Sequence, residues 1–259
     1  MAKLYKQTIN FIKAIDRVNY YIGNSVLMVV CTAILIICLL FWSGPRILSK
    51  AIDVSWPNCR QLVHISNYNT VIVGVNGGLD FHPNPCLGSE ARLGANIFVY
   101  ANSGDPGFPR ISRLGHGPLK CANQNRLVCY SFNYGYQAAL YSIRQADLAG
   151  VHAPFWWLDV ESINSWTNSI AANRADIMGM VYAFRNMLVL KPKLGIYTTA
   201  NQWTALVGKW RINLPLWLGT GLSNSSSAAK TCRLPSIIGP KTIFAQYTLG
   251  NLDYDYLCL

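Results

Sequence analysis

Phe155-Trp156-Trp157-Leu158-Asp159-Val160-Glu161-Ser162 sets two carboxylates in a run that is otherwise aromatic or branched apolar, closed by a serine. So short an apolar run after Pro154 predicts a strand buried on both faces, which requires helices to cover it. Side chains alternate along a strand, so Trp157, Asp159 and Glu161 share one face and Leu158 and Val160 take the other. The two carboxylates then point the same way, with Cβ atoms roughly 6 to 7 Å apart. Like charges at that spacing are costly to ionise together, so at least one carboxyl should keep its proton. A neutral acid beside an anion is the pairing that glycoside cleavage uses. On its own an Asp-x-Glu is more often a strand-end ion pair or a helix cap, because structural pairs also perturb pKa values. The rest of the chain decides between the two.

Outward from this strand, helical and strand patterns interleave. Residues 51–56 read as an apolar strand with Asp53 on the face opposite Ile52 and Val54. Two more strands follow, 71–76 ending at Gly77-Gly78 and 96–101 ending at Ser103-Gly104. Residues 105–129 are rich in Gly, Pro and polar residues and predict a long loop held by cysteines. Tyr136, Leu140, Ile143 and Ala146 recur at helical spacing, giving an amphipathic helix between Asn133 and Gly150, capped at both ends. Asn173 caps a second helix, whose Ile177, Met180, Val181, Phe184 and Leu188 lie on one side and which stops before Lys191-Pro192. Further strands are expected at 194–198, 215–219, 242–248 and 252–256, while 223–227 approaches low complexity. Strands interleaved with helices predict a mostly parallel sheet. About eight of them in some 200 residues are most economically closed into an irregular TIM-like (β/α) barrel of the α/β class. In such barrels the chemistry lies at the C-terminal ends of the strands. Asp53, Asp159, Glu161 and Asp253 all fall in such positions.

Lys and Arg number 22 against 11 Asp and Glu, and Glu161 is one of two glutamates in the chain. A basic surface suits an anionic polymer, whether nucleic acid, a phospholipid face or an acidic wall glycan, and charge alone does not choose among them. The basic residues Lys3, Lys6, Lys13 and Arg17 are concentrated at the N-terminus, where residues 1–19 predict an amphipathic helix at a membrane surface. No charged side chain occurs between Arg17 and Arg46, and Val26 to Trp42 is almost wholly apolar. Residues 20–44 are therefore expected to span a membrane as an uncleaved signal anchor. Four basic residues before the span and two soon after it place residues 1–19 in the cytoplasm. The protein is thus expected to be single-pass in the plasma membrane, with 45–50 as linker and 51–259 as an extracytoplasmic barrel. Cys31 and Cys38 lie in the apolar stretch, leaving Cys59, Cys86, Cys121, Cys129, Cys232 and Cys258 as an even set outside it. Up to three disulfides are expected, with Cys121–Cys129 the one pairing that proximity favours. No CxxC pair or HExxH occurs and the four histidines are scattered, which argues against a zinc site.

Several ordered pieces carry a resemblance. They are Asp53-Val54-Ser55-Trp56-Pro57-Asn58-Cys59, Gly74-Val75-Asn76-Gly77-Gly78, Asn84-Pro85-Cys86, Trp156-Trp157-Leu158-Asp159-Val160-Glu161, Gly195-Ile196-Tyr197-Thr198-Thr199 with Trp203, Pro215-Leu216-Trp217, and Gln246-Tyr247 through Asp253 to Cys258. Together they make residues 51–258 resemble the glycoside hydrolase family 25 lysozymes, most closely the secreted, cysteine-containing relatives of that family. The resemblance implies an N-acetylmuramidase that hydrolyses the β-1,4 bond between N-acetylmuramic acid and N-acetylglucosamine. It implies Glu161 as general acid, Asp159 as its partner carboxylate, and Asp53 and Asp253 as the acids completing the cleft. Tyr197 and Gln246 align with substrate-contacting positions, and Trp157 and Trp217 are expected to stack on sugar. The expected partners are peptidoglycan or a related wall glycan and, through the N-terminal helix, a membrane; no nucleic acid, metal or cofactor is expected. Two features depart from the family pattern: Trp56-Pro57-Asn58 replaces the usual Trp-Gln, and the 105–129 insertion has no counterpart in its short members. These leave room for a second reading, a non-catalytic glycan-binding protein on the same barrel; a third, a Mg²⁺ or Ca²⁺ site at Asp53, Asp159 and Glu161, is chemically possible because hard cations take oxygen ligands.

Overall fold

The computed structural model describes residues 50–60, 68–111, 116–121 and 126–258. The amphipathic segment 1–19, the span 20–44 and nearly all of the linker lie outside them. Among the described residues no helix is long and apolar enough to cross a membrane.

Eight strands close into a barrel in sequence order: β1 (Lys50–Val54), β2 (Tyr68–Gly74), β3 (Gly94–Asn102), β4 (Phe155–Asp159), β5 (Lys193–Thr198), β6 (Leu216–Leu222), β7 (Thr242–Leu249) and β8 (Leu252–Leu257). Neighbours from β1 to β7 pair in parallel, and β8 closes the ring antiparallel to both β7 and β1. The α/β barrel expected from the interleaved pattern is therefore present. Its irregularity lies at the seam, where the short turn between β7 and β8 leaves no room for a helix.

The alternation in β4 works as its sequence requires. Leu158 and Val160 point outward into the core shared with the helices, together with Ile52, Val54, Val71 and Val73. Trp157 points inward and joins Ile72, Phe155, Trp217 and Phe244 in the filling of the barrel. Its ring stacks on Phe155 at 4.4 Å. On the facing strand β5 the residue in register is Gly195. A Cβ there would lie 2.2 Å from the Trp157 ring, so the indole and the missing side chain are one packing solution. Aromatic rings thus fill the barrel below its mouth and leave the C-terminal end to polar groups.

The helices are α1 (Leu87–Glu90), α2 (Arg126–Leu148), α3 (Ile170–Met187), α4 (Ala200–Val207) and α5 (Ser225–Thr231). Two asparagines expected to lie at helix starts sit inside helices instead. Helix α2 begins at Arg126, so the 105–129 stretch is loop only in part. Within it, Asn133 clasps that loop: its Oδ1 accepts from Leu119 N at 3.1 Å and its Nδ2 donates to Leu119 O at 2.8 Å. The N-cap of α3 is Ser169, whose side chain accepts from Ala172 N, and not Asn173. Asn173 instead accepts from Thr167 Oγ1 at 2.9 Å and donates to Leu206 O at 2.9 Å, tying α3 to α4. The serine-rich 223–227 stretch holds the start of α5, where Asn224 accepts from Ser227 N at 2.8 Å.

All six cysteines expected outside the apolar stretch are paired. Cys121–Cys129 forms as proximity predicts, and Cys59–Cys86 and Cys232–Cys258 complete the set. The first of these ties the turn after β1 to the start of α1, and the last ties the end of α5 to the end of β8.

Candidate active site

Asp53 lies one residue before the end of β1, Asp159 ends β4, Glu161 follows two residues later, and Asp253 faces Asp53 in the antiparallel register of β1 and β8. All four line one cleft of about 120 Å³ at the C-terminal mouth of the barrel, with Tyr100, Tyr197, Trp217 and Gln246. Segments separated by up to two hundred residues thus converge. Seven of the eight positions that the sequence marks as catalytic or substrate-binding line this cleft, Trp157 being the exception.

Each acid is held by a distinct set of partners. Gln246 Nε2 donates to Asp53 Oδ2 at 3.0 Å, and the Gln246 Oε1 accepts from Tyr197 OH at 2.7 Å, so β5, β7 and β1 are linked across the mouth. Asp159 Oδ2 accepts from Asn102 Nδ2 at 2.6 Å, and the backbone N–H of Asn102 donates to Asn76 Oδ1 at 3.1 Å. The backbone carbonyl of Asp159 accepts from Ser103 Oγ at 2.6 Å. Trp166 Nε1 donates to the Glu161 carbonyl at 2.7 Å and fixes the bend that aims its carboxyl inward. Thr248 Oγ1 donates to Asp253 Oδ1 at 2.6 Å.

Among the described residues no cation lines this cleft or pairs with its acids. Among the described residues the one ion pair is His152–Asp147, on another part of the surface. Burial, then Asp253, pushes the Asp53 carboxyl up to about 7, against the lowering effect of its bonds with Gln246 and Asp255. Asp159 is held well above the usual carboxylate range, first by burial and then by the charges of Glu161 and Asp53. Glu161 is raised too, chiefly by burial, with the Gln202 hydrogen bond opposing and Asp253 adding to the rise. Asp53, Asp159 and Glu161 are thus all shifted toward keeping their protons, the direction that acid catalysis requires.

Asp255 was not singled out from the sequence. It is fully buried, accepts from Trp217 Nε1 at 2.5 Å, and shares a hydrogen bond with Asp53. Burial and the Asp53 charge hold its carboxyl well above the usual range. Asp253-Tyr254-Asp255 repeats on β8 the spacing of Asp159-Val160-Glu161, and the same alternation argument would have found it. Asn102, which orients Asp159, has no such signature. The tryptophans divide differently from expectation. Trp217 lines the cleft although it is only 1% exposed, whereas Trp157 is fully buried, does not line it and packs the barrel below the mouth. Trp156 packs on Phe184 outside the barrel, and Trp203 stacks on Trp210. Trp217→Phe should keep the ring packing but leave the Asp255 carboxyl without its donor. A loss of about 1–3 kcal/mol in chemical denaturation is expected.

Among the described residues no group of three or more His, Cys, Asp or Glu is placed to hold a metal ion. That removes the geometric basis for a Mg²⁺ or Ca²⁺ site at Asp53, Asp159 and Glu161.

A closed eight-stranded α/β barrel with uncompensated carboxyls at its C-terminal mouth is the frame of many sugar-cleaving enzymes. Residues 128–232, less than half of the chain, match the family model described as Lysozyme-like protein 1. No curated protein sequence matches the chain. Two solved structures of the modular autolysin LytC from Streptococcus pneumoniae, one of them in complex with a synthetic peptidoglycan ligand, are similar in fold. Their TM-scores are 0.51 and 0.50 at 14% identity, and the likeness covers 80% of this chain and 46% of theirs. The chain thus matches less than half the length of the autolysin, and at that identity the likeness is one of fold.

Proposed function

We propose that this protein is a muramidase-like glycoside hydrolase acting on peptidoglycan. The observation that carries the reading is the convergence of Asp53, Asp159, Glu161 and Asp253 on one cleft with no cation among them. The lysozyme-like match over residues 128–232 and the fold shared with an autolysin solved on a peptidoglycan ligand support the substrate class.

In this reading Glu161, whose carboxyl burial raises above its ordinary range, gives its proton to the leaving glycosidic oxygen. Asp159 steadies the substrate acetamido group as internal nucleophile, or otherwise supports the positive charge that develops on the sugar ring. Asp53 and Asp253 complete the negative field, while Tyr197 and Gln246 position both the acids and the saccharide. Asp255 acts through Asp53 as a positioning residue. The barrel is held outside the plasma membrane by residues 20–44, with residues 1–19 in the cytoplasm, so that a basic extracytoplasmic domain meets an anionic wall.

The test pairs two assays on purified peptidoglycan and the full-length protein: co-sedimentation, and release of reducing ends over time. Catalysis predicts both. Co-sedimentation with no reducing ends would replace the enzyme by a glycan-binding protein on the same barrel.

A further inference from the structure

The pole opposite the acid cleft, at the N-terminal ends of the parallel strands, has a different chemistry. Helix α3 ends there in Met187-Leu188-Val189-Leu190-Lys191-Pro192-Lys193, the last residue opening β5. Val189 is 91% exposed and Leu190 69%. Leu148, at the end of the adjacent α2, is 72% exposed, and a groove of about 340 Å³ runs between the two helix ends. Arg185, Lys191 and Lys193 stand exposed around this apolar tip, and Lys241, just before β7, is exposed at the same pole. The acid beside the groove, Asp147, is engaged with His152. Among the described residues none of these cations has an acidic partner within 4.0 Å, and Lys191 Nζ bonds only the Arg185 carbonyl.

Apolar side chains at the tip of a loop with lysines beside them are the pattern of a segment that dips into a bilayer's headgroup layer. A hydrated glycan offers nothing to a bare Val-Leu tip, whereas anionic lipid takes both the apolar pair and the cations. The chain also enters the barrel at this pole, through Lys50 at the start of β1. Only residues 43–49 separate Lys50 from the apolar stretch that ends at Trp42, a tether of at most about 25 Å when extended.

We propose that the Met187–Lys193 loop, with Leu148 beside it, docks on the anionic lipid surface of the membrane in which the chain is anchored. The inference rests on the anchor reading of residues 20–44. It fixes the barrel with its acid cleft facing away from the bilayer, toward the wall, so substrate strands are met on the side opposite the membrane. The apolar tip enters the interface to a depth of about 5–10 Å, and Arg185, Lys191 and Lys193 pair with lipid phosphates.

The test uses the full-length protein in liposomes of phosphatidylcholine with phosphatidylglycerol, with Cys31 and Cys38 replaced by Ala. A single environment-sensitive fluorophore is placed at Val189→Cys or, as a control at the other pole, at Ile163→Cys. Alkaline carbonate extraction reports the anchor, and quenching by lipids brominated near the headgroup reports docking. Retention in the bilayer with quenching at 189 and none at 163 is expected, and K191E with K193E should weaken the quenching at 189. Protein released by carbonate overturns the anchor, and the docking with it. Retained protein whose two labels are equally unquenched overturns the docking alone.

Discussion

Glu161→Gln is expected to lower turnover on peptidoglycan by about 10²–10⁴-fold while leaving the fold and the binding of wall material intact. Glutamine has the size of glutamate but no proton to give at the leaving oxygen. Its amide can keep a hydrogen bond with Gln202, the partner that holds the native carboxyl. It also removes one of a set of mutually repelling acids, so the melting temperature should be unchanged or higher. Turnover within a few-fold of wild type would remove Glu161 from the role of acid. A collapse of the melting temperature would instead make it a structural residue.

The second large effect concerns pH and stability, and its sign is unusual. Asp53 and Glu90 are each pushed up to about 7, both mainly by burial, and Asp159, Asp255, Asp80 and Asp176 are raised in the same direction. A carboxyl whose value is higher folded than unfolded binds more protons in the native state between the two values. Stability therefore falls as pH rises through that window, by up to about 1.4 kcal/mol per pH unit for each such group. The contribution is complete below about 4 and is lost as pH passes about 7. The melting temperature should therefore rise on going from pH 7.5 to pH 5, by about 2–4 °C for each kcal/mol regained. Asp53→Asn should flatten part of that slope. Acid destabilisation across the same range would show that the cluster is more hydrated, and less strained, than its burial implies.

Such strain is what a functional site leaves behind, and it also explains what the sequence made legible. The closed barrel and the meeting of Asp53, Asp159, Glu161 and Asp253 could be read because period-two alternation fixes where a strand residue points and because charge in an apolar run is conspicuous. Asp255 obeys the same rule, one alternation further along β8 than Asp253. Asn133 and Asn173 misled because asparagine serves equally as a helix cap and as a clasp for a neighbouring loop, and the partners of a clasp lie across space. Trp157 misled for a related reason: an inward-facing ring near a cleft either lines it or packs beneath it, and the depth at which Gly195 receives it is set by the neighbouring strand. Asn102, the donor to Asp159, carries no local mark at all, since its role exists only when β3 lies beside β4.

The most direct test of the acid cleft as a muramidase centre is the identity of the sugar at the new reducing end. Purified peptidoglycan would be digested with the full-length protein, reduced with borohydride and resolved by mass spectrometry, with Glu161→Gln in parallel. Reduced N-acetylmuramic acid is expected at the new ends, and none in the variant digest. Reduced N-acetylglucosamine at those ends, or identical products from the two proteins, would contradict the muramidase reading.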